Sequence, residues 1–127
     1  MKVLGKINIV GVDYTLYYYE NEFEKLQNDA KERDTRYMGE PRKDKIDGYC
    51  DYMSKEIRIF NDEYTNVEYF KMTLRHEICH AFLYEIGNSN CDDEDFIDKL
   101  SKWSSKIMEI FNEGLDLLIE DDDECQK

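Results

Sequence analysis

The chain has 127 residues, 41% of them hydrophobic and 37% charged, with a single proline and a net charge of −13. That length suits one two-layer domain and not two, and ten tyrosines with six phenylalanines must supply much of its packing. Residues 1–75 carry 13 Lys+Arg against 15 Asp+Glu and residues 76–127 carry 4 against 15, an acidic half that repels phosphate backbones and argues against direct nucleic-acid binding.

Val3 to Val10 mixes β-branched and polar residues, Tyr14 to Tyr19 is aromatic, and Gly11-Val12-Asp13 lies between them, so the chain opens on a predicted β-hairpin. Tyr17-Tyr18-Tyr19 cannot all face one side of a strand. Glu20 to Asp34 places Phe23, Leu26 and Ala30 at helical spacing with Asn21 as a candidate N-cap. Thr35 to Lys45 holds Gly39 and Pro41 and reads as a loop, the kind of segment from which lids are made. Ile46 to Tyr52 and Glu56 to Phe60 form a second hairpin around Met53-Ser54-Lys55, with Ile57 and Ile59 on one face.

A helix is then predicted from Val67 to Ile86, capped by Thr65 or Asn66, with Leu74, Ile78, Ala81, Phe82 and Ile86 as its apolar stripe and Phe70, Met72, Cys79 and Leu83 widening it until little of the circumference is solvent-like. It contains His76-Glu77-Ile78-Cys79-His80, an H-E-x-x-H motif formed from the chain's only two histidines. Residues four apart share a helical face, so His76 and His80 can reach one ion from a rigid platform, and Glu77, about 100° around, can act on a water without displacing it. A zinc ion (Zn2+) in such a site activates water and polarises a carbonyl while the glutamate moves the proton.

Catalytic zinc takes three protein ligands, and the metzincin extension of the motif is lacking, since Leu83 and Ile86 occupy its positions. After a break at Gly87 to Asn90 the candidates are Cys91, Asp92, Asp93, Glu94, Asp95 and Asp98. Glu94 and Asp98 lie one turn apart, so one can ligate while the other orients a histidine; Glu94 is the preferred ligand, with Asp95 and Cys91 as rivals. Asp93 to Asn112 reads as a last long helix whose stripe of Phe96, Leu100, Trp103, Ile107, Ile110 and Phe111 should pack on the motif helix. Gly114 permits a break, Leu115 to Ile119 is a short apolar run that closes the domain at residue 119, and residues 120–127 form an acidic tail.

His-Glu-Ile-Cys-His-Ala-Phe-Leu-Tyr-Glu followed by Asp-Glu-Asp-Phe-Ile-Asp resembles small gluzincin-like proteins of the ImmA/IrrE type, especially short versions carried by phages and other mobile elements. Gly48 to Tyr52 and Glu56 to Ile59 look like the hairpin that precedes the motif helix there, and the likeness covers about residues 46–100. The resemblance implies a third ligand at Glu94, a zincin-like α+β fold with an antiparallel sheet of two hairpins on the motif helix, and cleavage of a cytoplasmic protein such as a regulator or repressor. The SprT/Spartan-like proteases share a similar helix but take a later histidine that this chain lacks.

Tyr37, Tyr49, Tyr52, Tyr64 and Tyr84 are candidate donors to a developing oxyanion. Cys50, Cys79, Cys91 and Cys125 form no C-x-x-C pair, and neither a leader-like apolar start nor a membrane-length apolar run is present, which predicts a cytoplasmic protein with reduced thiols and no membrane partner. A second function class also fits the acidic half: a binding or inhibitor protein that engages a basic partner without cutting it, its zinc site structural or vestigial.

Overall fold

The computed structural model describes residues 1–125, the side chains of residues 121–125 apart; Gln126 and Lys127, at the end of the expected acidic tail, lie outside the described residues. The elements are β1 (Lys2–Ile9), β2 (Val12–Glu20), α1 (Phe23–Met38), β3 (Gly48–Asp51), β4 (Glu56–Asn61), α2 (Val67–Glu85), a 3₁₀ turn (Ser89–Asp92) and α3 (Glu94–Cys125). An α+β chain with two β-hairpins and a long C-terminal helix is therefore present.

Both hairpins form, with β1 antiparallel to β2 and β3 antiparallel to β4, but they join through a parallel β2–β4 pairing. The sheet is mixed, in the order β1-β2-β4-β3, where an antiparallel one was expected. The reason lies in the side chains. β2 and β4 both carry apolar residues on two faces: Tyr14, Leu16, Tyr18, Ile57 and Ile59 on one, Tyr17, Tyr19 and Phe60 on the other. Strands buried on both sides belong in the middle of a sheet, and covering both sides takes two helices. α2 brings Phe70, Leu74, Ile78 and Ala81 to the first face, and α1 brings Leu26 and Ala30 to the second. Three layers result where two were expected, and Tyr17-Tyr18-Tyr19 is divided between the two cores.

α1 starts and ends later than predicted. Asn21 has a left-handed φ of 57° and is not the cap; Glu22 holds that position without a capping side-chain bond. Nothing in Thr35 to Met38 interrupts the helix, which stops at the first glycine, where Gly39 (φ 83°) donates its N–H to the Thr35 carbonyl. The predicted loop thus shrinks to the segment after Met38. α2 begins as predicted, its N-cap Asn66 accepting from the Glu68 N–H at 2.7 Å. On its apolar side Phe82 and Ile86 are 44% and 48% exposed, so the buried stripe is narrower than its sequence suggests.

α3 is one continuous helix through Gly114, contrary to the expected break. Glycine costs about 1 kcal/mol against alanine inside a helix, too little to end one with good helix formers on both sides. Its predicted stripe is not core either. Ile97 and Ser101 are buried and Leu100 partly so, whereas Phe96, Trp103, Ile107, Ile110 and Phe111 are 38–63% exposed. The helix buries its first turns on α2 and then continues past the last element that could cover it. No helix among the described residues is long and apolar enough to cross a membrane.

Candidate metal centre

The H-E-x-x-H residues sit midway along α2, on the side turned from the first core toward α3. His76 is partly exposed, and Glu77 and His80 are buried. The 3₁₀ turn brings the chain back so that the first turn of α3 faces them. His76 Nε2 lies 2.8 Å from Glu94 Oε2, His80 Nε2 lies 3.1 Å from Glu94 Oε1, and the two Nε2 atoms are 3.1 Å apart. His76, His80 and Glu94 form a group able to hold a metal ion, with ligand atoms all within 4.8 Å of one another.

The far side of each imidazole decides what this convergence means. His76 Nδ1 is 2.8 Å from Asp98 Oδ1, and His80 Nδ1 donates to the Cys91 carbonyl at 2.6 Å. A carbonyl can only accept, so His80 carries a hydrogen on Nδ1, whereas His76 lies between two carboxylates, Asp98 at Nδ1 and Glu94 at Nε2. Two imidazole nitrogens and a carboxylate thus converge on one point, and imidazole with carboxylate is a donor set suited to zinc. Asp98 and the Cys91 carbonyl contact the far nitrogens, as the outer partners of histidines at metal sites do.

Of the acidic candidates, Glu94 belongs to the group able to hold a metal ion and Asp98 contacts the opposite nitrogen of His76, while Asp95 is exposed and outside the group. Cys91 takes part through its carbonyl, not its thiol. Glu77 is 5% exposed, and its Oε2 is buried without a partner. Burial, and then the nearby Glu94 charge, push its carboxyl up to about 8 against an opposing pull from Arg42.

These residues line a cleft of ≈ 880 Å³ bounded by the end of α1, the segment after it, β3 and α2. Gly48 opens the edge strand here: a Cβ would lie 2.8 Å from the Arg58 carbonyl and 3.3 Å from Thr73 Cγ2. Of the tyrosines considered as oxyanion donors, Tyr49 and Tyr52 line the cleft. Tyr52 is already engaged, its hydroxyl 2.8 Å from the Cys91 carbonyl and 3.2 Å from His80 Nδ1, and its ring stacks on Tyr84 at 4.3 Å. Tyr64 is 87% exposed, and Tyr37 lies against Arg33 and Arg36.

A cation in this cleft escaped the sequence reading. Arg42, three residues past Gly39, is held by Asp34 through both Nε and Nη2, the latter at 3.0 Å. Asp34 is 1% exposed; burial alone would raise its carboxyl, but Arg42 and then Arg33 outweigh it and hold the group below its ordinary value. Pro41-Arg42 in the predicted loop is the available signal, but nothing local to it points to Asp34 as its partner. No family model, curated protein or solved structure matches the chain.

Proposed function

We propose that the chain is a zinc-dependent peptidase, as the resemblance of its motif helix to ImmA/IrrE-type proteins implies, with a zincin-like arrangement of its sheet and α2. The observation that carries this reading is Glu77: a carboxyl buried beside the two histidines and Glu94, with an unpartnered oxygen in an open cleft. A buried carboxyl has no structural use without a partner, but it suits a general base whose partner arrives with the substrate.

Zinc held by His76, His80 and Glu94 would supply an activated water and a polarised scissile carbonyl. Glu77 takes the proton of the attacking water and passes it to the leaving nitrogen. Its raised proton affinity suits that exchange near neutral pH. Arg42 faces the same space with a positive charge, and the free edge of β3 offers backbone groups to an extended peptide.

The test is elemental analysis of the purified protein beside His80→Ala and Glu94→Ala, followed by a fluorescence-quenched peptide library with Glu77→Gln as control. About one zinc per chain, lost in both variants, is expected, with cleavage falling about 10³-fold in Glu77→Gln at unchanged zinc content. Full cleavage by zinc-loaded Glu77→Gln overturns the mechanism, and no metal uptake on reconstitution overturns the site. Zinc uptake with no cleavage of any peptide favours the binding-protein reading.

A further inference from the structure

α3 carries a second feature, independent of the metal centre. Past the turns that pack on α2, Trp103, Ile107, Ile110, Phe111, Leu117 and Leu118 are each 56–66% exposed. At 100° per residue these six fall within one third of the helix circumference, and together they expose on the order of 800 Å² of apolar surface. Monomers rarely leave a contiguous patch of that size to water. It also equals the roughly 800 Å² per partner that a stable interface buries.

The charges beside the patch indicate what covers it. Lys102 and Lys106 lie toward its start, and Glu113, Asp116 and Glu120 toward its end, with further acids at positions 121–124. A membrane surface is a poor fit, since interfacial helices carry lysine and arginine on their polar face and this one is mainly acidic. A parallel pair of α3 helices would set lysine against lysine and acid against acid. An antiparallel pair centred between Ile110 and Phe111 sets Lys102 about one residue from level with Glu120 and Lys106 near Glu113 and Asp116, and it sends the two acidic ends in opposite directions. Among the described residues of the single chain, Lys106 reaches Glu109 on its own helix, at 3.4 Å. The same register sets Trp103 opposite Leu118 and Ile107 opposite Gly114. Gly114 lies at the centre of the apolar face, has nothing within 4 Å of a Cβ, and lowers helix propensity, a cost that close approach of a partner's Ile107 would offset.

We propose that this face is a homodimer interface, in which α3 pairs antiparallel with α3 of a second copy of the chain. Sedimentation equilibrium of the full chain is expected to give twice the 15.3 kDa chain mass at about 10 µM. Ile107→Glu with Phe111→Glu is expected to give a monomer with the wild-type thermal transition, because both side chains are mainly exposed and belong to neither core. Lys106→Glu and Glu113→Lys should each raise the dissociation constant about fivefold, and the two together should restore it. A chain still monomeric at about 100 µM overturns the proposal, as does an oligomer that survives the double glutamate variant. Single charge variants that bind as tightly as wild type overturn the antiparallel order.

Discussion

The side chains behind the histidines define the most sensitive single residues. Asp98 touches His76 on the nitrogen opposite the candidate ligand atom, at 2.8 Å, so Asp98→Ala should weaken zinc affinity by about 10- to 100-fold while Asp95→Ala leaves it unchanged, as read by competition with a chromogenic chelator. Glu77 makes a separate prediction for the metal-free protein. Its carboxyl is raised from 4.5 to about 8, so the native state holds a proton that the unfolded chain has released over that interval. The stability associated with that proton is complete below pH 4.5 and is lost as pH rises to about 8, at about 1.4 kcal/mol per pH unit. Urea denaturation from about pH 5 to pH 8 should therefore show a slope in the metal-free wild type that is absent in Glu77→Gln. Equal slopes would mean that Glu77 is ionised in the folded protein.

Two junctions between elements determine the shape of the cleft. The segment after α1 is pinned where Arg42 grips Asp34, a carboxylate with almost no access to water. Asp34→Ala leaves Arg42 unpaired against the site and should cost about 3–5 kcal/mol of unfolding free energy, measured by denaturant titration. Gly48 lies where β3 passes close to α2. In Gly48→Ala the new methyl meets a backbone carbonyl at 2.8 Å, which cannot swing aside as a side chain would, so the edge strand must shift at a cost of about 1–3 kcal/mol. Half-buried Thr73 lines the same gap, and Thr73→Gly should recover little of that loss, since the carbonyl is the closer obstacle.

For the whole molecule, the candidate metal group joins the middle of α2 to the start of α3, so zinc should act as a clamp on the fold. At a free zinc concentration about 1,000 times the dissociation constant, binding adds about 4 kcal/mol, and chelation should lower the Tm by roughly 15 °C. A Tm that ignores chelator would place the metal outside the folding unit.

How much of this could be read without coordinates depends on the range over which each feature is decided. The H-E-x-x-H helix, its Asn66 cap, and the one-turn spacing of Glu94 and Asp98 follow from local periodicity, because a helix places residues three and four apart on one face whatever surrounds it. Both hairpins were legible for the same reason, each being closed by a short turn between adjacent strands. The parallel pairing of β2 with β4, the second core under α1, the Asp34–Arg42 contact and the exposure of the α3 stripe were not. Each depends on which distant surface is left to cover an apolar face or a charge, and a stripe at helical spacing has the same pattern whether it meets a core, a partner or water. The sequence alone therefore determined the candidate ligands and the helices that carry them; the tertiary structure decided their cleft and the surface left without a partner, because only packing determines which faces remain open.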